Sequence, residues 1–338
     1  MSLQKNFPLK NLNTFGITAT AAQYASFSSV EELRALLKLP ELNKEQILVL
    51  GGGSNILFTQ DFAGTVLHNK IGGIAILEEQ AEYSLVQSGG GVLWHDLVNF
   101  SIDNNLAGIE NLSLIPGTVG AAPLQNIGAY GVELKDVFYS LEAVHIYSGE
   151  VKTFDAEECF FGYRESIFKK ELKGQYVVTH VTLKLSKIPN YNISYGALKD
   201  TLASMQVKEI TLKALSEAVC LIRRSKLPDP AVIGNAGSFF KNPEISKAEF
   251  ANLKAQYPDM PSYPAPHDKI KVPAGWLIER CGWKGKKRDN HGVHTDQALV
   301  LVNYGGALGN QIQALAHEII DSVKDTFNIT LTPEVNIL

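Results

Sequence analysis

One stretch, Pro116–Gly131, restricts the fold more than any other part of the chain. Its sixteen residues, PGTVGAAPLQNIGAYG, include four glycines, three alanines and two prolines, and no charged residue occurs within 111–132. Glycine tolerates positive φ and lets a ligand approach the main chain closely, whereas proline fixes φ and cannot donate a backbone hydrogen bond. The stretch therefore predicts a long loop rather than a helix or a strand. Such loops are usually functional or disordered, and Leu124, Ile127 and Tyr130 make this one too apolar for disorder.

Gly51–Asn55 is a second stretch that offers a ligand mainly main-chain groups, and consecutive N–H groups in such loops can bind anions. Its sequence, GGGSN, follows QILVL (Gln46–Leu50), a short apolar run that predicts a buried strand. GGGSN lacks the Gly-Lys-Ser/Thr ending of a P-loop and the spacing of a Rossmann fingerprint. Local sequence therefore leaves two interpretations open, a phosphate-binding loop and a plain tight turn.

Composition and charge are ordinary for a globular protein: 45% of residues are apolar, 20% are charged, and the net charge is −4. This balance argues against a dominant nucleic-acid role. Cys159, Cys220 and Cys281 are widely spaced and show neither a disulfide framework nor metal-ligand spacing, which fits a reducing compartment. Residues 1–17 lack the apolar core of a signal peptide, and no run approaches the ~20 apolar residues that a spanning helix needs. We therefore expect a cytoplasmic protein without a metal, nucleic-acid or membrane partner.

Hydrophobic patterns divide the chain into regions. A small α/β unit comes first and a strand-rich region follows; a helix near Thr211–Arg224 is then stopped by Lys226–Pro230, which marks the best domain boundary. Beyond it lies another neutral, glycine-rich loop, Gly234–Pro243. An apolar stripe makes Gln311–Phe327 the clearest helix in the sequence, and its residues are Ile312, Leu315, Ile319, Val323 and Phe327. The basic cluster Lys284–Arg288 is either a solvated surface loop or a phosphate contact.

Four polar residues stand in unusually apolar or glycine-rich settings: Arg164, Tyr195, Ser238 and Glu334. A charged group among aromatic residues is costly to bury unless it is paired, so Arg164 indicates either a structural ion pair or an anion site. Ser238 is either a turn residue or a reacting hydroxyl, and Glu334 is either an exposed edge carboxylate or part of a site. No Ser-His-Asp order, H-E-x-x-H motif or His/Cys cluster occurs. These residues suit a dinucleotide enzyme but do not name its reaction.

Eight motifs, in order, resemble those of the UDP-N-acetylenolpyruvoylglucosamine reductase family. They are NTFGI (Asn13–Ile17), LGGGSNIL (Leu50–Leu57), IPGTVGAAPLQNIGAYGVE (Ile115–Glu133), FGYRESIFK (Phe161–Lys169), KLPDP (Lys226–Pro230), GNAGSFFKNP (Gly234–Pro243), AGWLIE (Ala274–Glu279) and PEV (Pro333–Val335). The resemblance covers nearly the whole chain. ISYGAL (Ile193–Leu198) is similar to the longer form of the family, which has an extra tyrosine-bearing loop over the substrate.

The resemblance implies an α+β fold. An FAD-binding fold of the vanillyl-alcohol and p-cresol oxidase type, made of two α+β subdomains, would precede a C-terminal α+β substrate-binding domain. The implied bounds are 1–68 for FAD-binding subdomain 1, with 332–338 returning to it, 69–224 for FAD-binding subdomain 2, and 225–331 for the UDP-sugar-binding domain.

The implied activity is the NADPH-dependent, FAD-mediated reduction of the enolpyruvyl ether of UDP-N-acetylglucosamine-enolpyruvate to UDP-N-acetylmuramate, in peptidoglycan precursor synthesis. Arg164 and Glu334 match the family's pair that stabilises the developing charge, and Ser238 matches its proton donor. The residues that match its FAD site are Gly51, Gly52, Gly53, Ser54, Asn55, Pro116, Gly117, Thr118, Gly120, Gln125, Asn126, Gly128, Ala129 and Tyr130. The residues that match its UDP-sugar contacts are Tyr195, Arg223, Lys226, Asn242 and Gln297. We expect a monomer whose partner is a small-molecule UDP-sugar.

Two departures from the family pattern concern flavin binding and the C-terminus. Ala121-Ala122 replaces a pair that in some members is Ser-Ser and can bond the flavin. Asn336 stands where a basic residue can occur, and fewer residues follow Val335 than in some members.

Two other functions stay open at this point. One is another FAD oxidoreductase of the same fold that acts on a hydroxy acid or a phenol, and the loop around Ser238 together with Lys226 argues against it. The other is a non-catalytic nucleotide-sugar-binding or flavin-binding protein, and the presence of Arg164, Ser238 and Glu334 argues against that.

Overall fold

The structure, a computed structural model, describes residues 2–338 and contains two compact units. The first unit holds the amino-terminal residues up to Phe7, Ala21–Gly52 and Ala63–Ser225; the second holds Pro8–Thr20, Gly53–Phe62 and Lys226–Leu338. Each unit is therefore built from separate stretches of chain. The finer three-part division expected from the resemblance stays a prediction.

The secondary structure mixes helices and strands throughout. Within residues 2–338 there are seven α-helices: α1 Val30–Leu36, α2 Trp94–Asp103, α3 Gly196–Ser204, α4 Leu212–Lys226, α5 Lys247–Gln256, α6 Ala274–Arg280 and α7 Gly309–Phe327. The same residues contain twenty strands: β1 Gln4–Pro8, β2 Thr20–Phe27, β3 Ile47–Leu50, β4 Ile56–Leu57, β5 Phe62–Asn69, β6 Ile74–Glu79, β7 Tyr83–Gly89, β8 Gly128–Ala129, β9 Val132–Glu133, β10 Phe138–His145, β11 Val151–Asp155, β12 Tyr176–Ser186, β13 Gly234–Ser238, β14 Glu244–Ser246, β15 Tyr263–Ala265, β16 Lys269–Lys271, β17 Lys287–Arg288, β18 His291–Val293, β19 Val300–Asn303 and β20 Asn336–Ile337.

Two sheets form the framework of the first unit. One has the strand order β1–β2–β5–β3, with β3 parallel to β5 and Leu50 paired with His68. The other is antiparallel, with the order β11–β10–β12–β7–β6. β3 corresponds to the apolar run predicted as a buried strand, but only Leu50 in it is fully buried because the strand lies at an edge of its sheet. The last residue of β3 leads directly into Gly51.

Helix α2 packs in the core of the antiparallel sheet. Trp94 and Leu97 on its inner face are buried together with Val181 of β12. The Trp94 indole also donates a hydrogen bond from Nε1 to the Leu112 carbonyl at 2.9 Å. The helix thereby anchors the chain just before Pro116–Gly131.

Helix α7 supplies much of the core of the second unit. All residues of its predicted stripe are buried, namely Ile312, Leu315, Ile319, Val323 and Phe327. The helix packs on β18 and β19, which belong to an antiparallel sheet of order β13–β19–β18–β17. Asn328 ends the helix with a left-handed φ of 56°, a conformation that asparagine tolerates well.

Two smaller sheets complete the second unit. β14, β16 and β15 form an antiparallel sheet in that order, and β20 pairs in parallel with β4, so that Asn336 is opposite Ile56. Across residues 2–338, no helix combines the length and apolar character needed to cross a membrane.

Candidate functional site

The Pro116–Gly131 loop is ordered and pairs with the segment that leads into α2. Trp94 donates its main-chain N–H to the Gly117 carbonyl at 3.0 Å, and Val119 donates to the Val92 carbonyl at 2.9 Å. Short 3-10 turns follow, and the loop ends in the β8–β9 hairpin, which turns at Tyr130 and Gly131 with positive φ at both residues. The loop therefore satisfies much of its backbone locally and keeps a defined shape.

The first two glycines of Gly51–Asn55 lie directly against this loop. A Cβ on Gly51 would come within 2.2 Å of Thr118 Oγ1, and one on Gly52 would come within 3.2 Å of Gly117 Cα. A side chain at either position would crowd the loop, so glycine at both lets the two segments lie this close together. The main-chain N–H groups of these four residues donate no hydrogen bond to any residue in 2–338. Four neighbouring unbonded donors on glycine-rich backbone fit an anion such as a diphosphate.

The Arg164 guanidinium lies in a setting of main-chain carbonyls. Nη2 donates to the Gly128 carbonyl at 2.5 Å, and Nη1 lies 3.4 Å from the Asn126 carbonyl. Arg164 itself has a φ of +54°, which is unfavourable for a bulky side chain. Residues held in such conformations cluster at functional sites because the surrounding structure must impose them. The structure thus fixes both the backbone and the charged end of Arg164.

A second cluster in the same unit contains one charged residue, Arg223, together with Tyr130 and Tyr195. The two tyrosine rings meet edge to face with centroids 5.3 Å apart, and Arg223 on α4 donates from Nε to the Leu114 carbonyl at 3.2 Å. Burial lowers the pKa of Arg223 and the neighbouring Arg164 charge lowers it further, while a hydrogen bond with Tyr130 opposes both effects. Burial likewise raises the pKa of the Tyr130 hydroxyl. Two guanidinium groups that repel each other favour an anionic ligand.

In the second unit, main-chain pairing joins the segments that carry Ser238 and Glu334. The Glu334 N–H donates to the carbonyl of Phe239, the residue after Ser238, at 2.8 Å. Ser238 ends β13 next to an irregularity in the register with β19, and such irregularities re-aim side chains. Within the described chain, Ser238 Oγ takes part in no hydrogen bond, so the hydroxyl is available to a ligand. The Asn55 side chain also donates to the Glu334 carbonyl, at 3.3 Å.

Asn242 and Gln297 both lie at the start of α6. Asn242 Oδ1 accepts the Ala274 N–H at 2.9 Å, and a Cβ on Gly275 would meet Gln297 Oε1 at 3.3 Å. Lys226 is the last residue of α4 and is exposed. Within the second unit, the segments that carry Ser238 and Glu334 are thus hydrogen-bonded to each other, and Asn242 and Gln297 both lie beside the first turn of α6.

The remaining residues of the predicted FAD set lie in two segments. Gly53 accepts the Thr14 N–H through its carbonyl at 3.1 Å, and Gln125 Oε1 accepts from Lys169 Nζ at 3.3 Å. Ser54 and Gly128 are half-buried. The others are Asn55 and Asn126, whose contacts are given above, together with Pro116, which is exposed, Gly120, which is buried, and Ala129 in β8.

Two residues that sequence reasoning missed hold the candidate site in shape. His95 Nδ1 accepts the Leu114 N–H at 3.0 Å, while Arg223 binds the carbonyl of the same residue. The buried Asn111 donates from Nδ2 to the Tyr130 carbonyl at 3.1 Å and to the Asn192 carbonyl at 2.8 Å. In the sequence, His95 is a single histidine before the uncharged stretch and Asn111 is the first residue of that stretch. Local sequence does not distinguish either of them from a surface residue.

Two family models match the chain. The model described as "FAD binding domain" matches residues 21–155, and the one described as "UDP-N-acetylenolpyruvoylglucosamine reductase, C-terminal domain" matches residues 229–338. The α+β FAD-binding fold and the distinct C-terminal domain implied by the resemblance are thereby confirmed. The unbonded N–H groups described above fit the diphosphate of that cofactor.

Comparison with known proteins covers the whole chain. It is 52% identical over 338 residues to UDP-N-acetylenolpyruvoylglucosamine reductase of Amoebophilus asiaticus and 50% identical over 339 residues to that of Flavobacterium johnsoniae, each match spanning 100% of both chains. The crystal structure of UDP-N-acetylenolpyruvylglucosamine reductase from Thermus caldophilus has the same fold, with a TM-score of 0.66 and 23% identity over 100% of this chain and 99% of that one. Identity of this extent over the full length shows that the chain belongs to the UDP-N-acetylenolpyruvoylglucosamine reductase family.

Proposed function

We propose that this protein uses NADPH and bound FAD to reduce the enolpyruvyl ether of UDP-N-acetylglucosamine-enolpyruvate to UDP-N-acetylmuramate, a step of peptidoglycan precursor synthesis. The observation that carries the proposal is full-length identity of 52% to a reductase of this name. FAD, when bound, would supply the transfer of a hydride from NADPH to the vinyl carbon of the substrate. The residues of the chain must then bind both ligands, stabilise negative charge and provide a proton.

The glycine-rich backbone is our candidate for holding FAD. The N–H groups of Gly51, Gly52, Gly117 and Thr118 would bind the diphosphate, since they have no other partner among the described residues. The rest of the predicted set would line the remainder of the cofactor: Gly53, Ser54, Asn55, Pro116, Gly120, Gln125, Asn126, Gly128, Ala129 and Tyr130. All residues of this FAD set are neutral. The cationic side chains of the site, Arg164, Arg223 and Lys226, would therefore contact the substrate.

Arg164, Ser238 and Glu334 are our candidates for the chemistry. Negative charge develops on the carbon next to the substrate carboxylate, and the guanidinium of Arg164, oriented by two carbonyls, can stabilise it. Glu334 is included because it matches the family's partner of this arginine. Ser238 would donate the proton. Its hydroxyl is a weak acid, so this role depends on its placement rather than on its pKa.

The UDP-sugar would be bound by Tyr195, Arg223, Lys226, Asn242 and Gln297. Arg223 suits a bidentate contact to an anionic group, and Lys226 is a compact cation for a phosphate. The Arg164 charge is close enough to lower the pKa of Arg223. Two neighbouring positive charges support an anionic substrate and not an uncharged phenol. This charge disfavours a phenol, and the family membership favours the reductase over an oxidoreductase of the same fold that acts on a hydroxy acid.

An anaerobic titration tests the proposal. We expect NADPH to bleach the absorbance of the bound flavin and UDP-N-acetylglucosamine-enolpyruvate to restore it, with UDP-N-acetylglucosamine, which lacks the enol ether, as the matched control that restores nothing. If the enol ether leaves the bleached protein unchanged, the substrate is wrong. A monomeric state and a cytoplasmic location stay predictions, and light scattering of the purified holoenzyme checks the first.

A further inference from the structure

Asn126 makes an unusual number of hydrogen bonds for one side chain. Its Nδ2 donates to Glu133 Oε2 at 3.0 Å and to the Gly162 carbonyl at 3.0 Å, and its Oδ1 accepts the Lys135 N–H at 3.0 Å. The residue is fully buried and has a left-handed φ of +43°. A primary amide has two N–H donors, and both are used here. The Asn126 amide therefore has no donor left for a ligand.

These bonds hold both the turn that carries Arg164 and the guanidinium itself. Gly162 and Glu165 exchange two main-chain hydrogen bonds, of 3.0 and 3.2 Å, which close a turn with Arg164 at its tip. The side chain of Asn126 grips this turn at the Gly162 carbonyl, and its own carbonyl faces Arg164 Nη1 at 3.4 Å. One buried residue thus contacts the base of the turn and the charged end of its tip residue.

The neighbours of Asn126 make its position rigid. Glu133, which accepts from the amide, is also bound by Lys135 Nζ at 2.9 Å. Gly128, whose carbonyl binds Arg164, has no room for a side chain: a Cβ there would lie 2.9 Å from Glu133 Cγ and 3.0 Å from Arg164 Nη1. The left-handed φ lets Asn126 turn its carbonyl and its amide towards these different partners, and asparagine adopts that conformation more readily than most residues.

We propose that Asn126 is a positioning residue, whose side chain holds the Arg164 turn so that the guanidinium is set for the charge that develops on the substrate. The inference rests on the function proposed above and deepens it. In this proposal the side chain of Asn126 acts only to position Arg164. Any contact between Asn126 and the cofactor would be made by its main-chain atoms.

The test is Asn126→Gly, which keeps the left-handed φ without strain and removes the amide. We expect reduction of the bound flavin by NADPH to change less than about two-fold and reoxidation by UDP-N-acetylglucosamine-enolpyruvate to slow about ten-fold or more, since small misplacements of a reacting group have effects of this size. Asn105→Gly is the matched control, because Asn105 is an exposed asparagine with a φ of +54° in the same unit. Asn105→Gly should leave both half-reactions unchanged.

A double variant decides whether Asn126 acts through Arg164. In an Arg164→Ala background, Asn126→Gly should slow reoxidation by less than about two-fold further, because the group it positions is gone. Losses that multiply in the double variant would overturn the proposal. So would equal loss in both half-reactions, or loss of flavin from Asn126→Gly, since either would make the residue a general support of the cofactor site.

A second substitution keeps the test valid if the glycine variant folds poorly. Asn126→Asp retains the size and the acceptor for the Lys135 N–H, but it cannot donate to Gly162 and it faces Glu133 with a like charge. The same selective slowing of reoxidation is expected, with the melting temperature and flavin content measured alongside; unimpaired reoxidation would overturn the proposal. Failure of the proposed function is distinguishable, because wild-type protein itself would then not be reoxidised by the enol ether.

Discussion

At the scale of single residues, polar side chains of the candidate site are of two kinds. Some have polar atoms that are available to a ligand, and others use all their polar atoms in hydrogen bonds within the protein. Ser238 Oγ has no hydrogen-bond partner among residues 2–338, and the next residue, Phe239, accepts the Glu334 N–H through its carbonyl. Asn126 is the opposite case, since its amide is fully engaged by Glu133, Gly162 and Lys135. We therefore expect Ser238 to act in the chemistry and Asn126 to act in positioning.

Replacing Ser238 by alanine should impair only one half of the reaction. The change removes the proposed proton donor without removing a structural hydrogen bond, so reoxidation by the enol ether should slow about 100-fold or more while reduction by NADPH is retained. Rapid-mixing absorbance measurements of each half-reaction check this. Ser246→Ala is a suitable control: Ser246 caps α5 through the Glu249 N–H, so its loss should lower stability and leave both rates intact. Equal slowing of both half-reactions in Ser238→Ala would assign the serine to structure.

At the scale of elements, α2 and α4 together clamp the chain at the entrance to the Pro116–Gly131 loop. Leu114 has a φ of +58°, a strained conformation for leucine. His95 on α2 accepts its N–H and Arg223 on α4 binds its carbonyl. Ser216 on α4 adds a hydrogen bond to Ser113 at 2.7 Å. Contacts from two helices thus hold Leu114 at a positive φ that leucine rarely adopts.

This clamp should make stability depend on pH through His95. Burial lowers the pKa of His95, nearby Arg224 and Arg223 lower it further, and Asp96 opposes them. The neutral ring is the form that accepts the Leu114 N–H, so its stabilising contribution is complete above the ordinary histidine pKa of about 6.5 and is lost as pH falls through the lower folded-state value. We expect the melting temperature of wild type to exceed that of His95→Ala near pH 8, and the difference to shrink towards pH 5.

His95→Asn distinguishes titration from simple loss of contact. The asparagine carbonyl can accept the same N–H without titrating, so the gap between wild type and His95→Asn should change with pH whereas the gap between His95→Asn and His95→Ala should not. A gap between wild type and His95→Ala that is constant from pH 8 to 5 would show that protonation of the ring does not break this contact.

Features of the fold and of the candidate site could be predicted from the sequence where they depend on local residue patterns. Features that depend on contacts between distant residues could not. The α7 stripe was correct residue for residue, because an amphipathic repeat needs no knowledge of distant contacts. The uncharged loop was identified by its glycines and prolines. The saturated amide of Asn126 and the carbonyl setting of Arg164 could not be found, since their partners are up to 38 residues away and, apart from the Glu133 carboxylate, are main-chain atoms that carry no sequence signal. The resemblance named the roles of residues, but the way the fold holds them required the structure.

At the scale of the whole molecule, binding of FAD should stabilise the fold by mass action. At a concentration about 100 times its Kd, a ligand adds about 2.7 kcal/mol, which raises the melting temperature by roughly 5 °C. We expect this increase when FAD is added back to flavin-free protein, measured by differential scanning calorimetry. Gly51→Ala should lose it, because the new Cβ would meet Thr118 Oγ1 at 2.2 Å.

Gly72→Ala is the matched control for that substitution, since a Cβ at Gly72 meets no atom within 4 Å. It should keep the full FAD-dependent increase in melting temperature. The assignment of the diphosphate to Gly51 and its neighbours is wrong if Gly51→Ala is stabilised by FAD as strongly as Gly72→Ala.

The parallel pairing of β4 with β20 has a consequence for synthesis on the ribosome. Asn336 donates two hydrogen bonds to the Asn55 carbonyl beside this pair, from its main-chain N–H at 3.1 Å and from Nδ2 at 2.9 Å, although 281 residues separate them in the chain. At elongation rates of about 5–20 residues per second, β4 leaves the ribosome tens of seconds before its partner. For that time the nascent second unit must keep an edge strand without its native neighbour, which is the kind of exposed backbone that chaperones bind and that aggregation exploits. We therefore expect the speed of translation through the 281 residues that separate Asn55 from Asn336 to affect how much of this enzyme reaches its folded state.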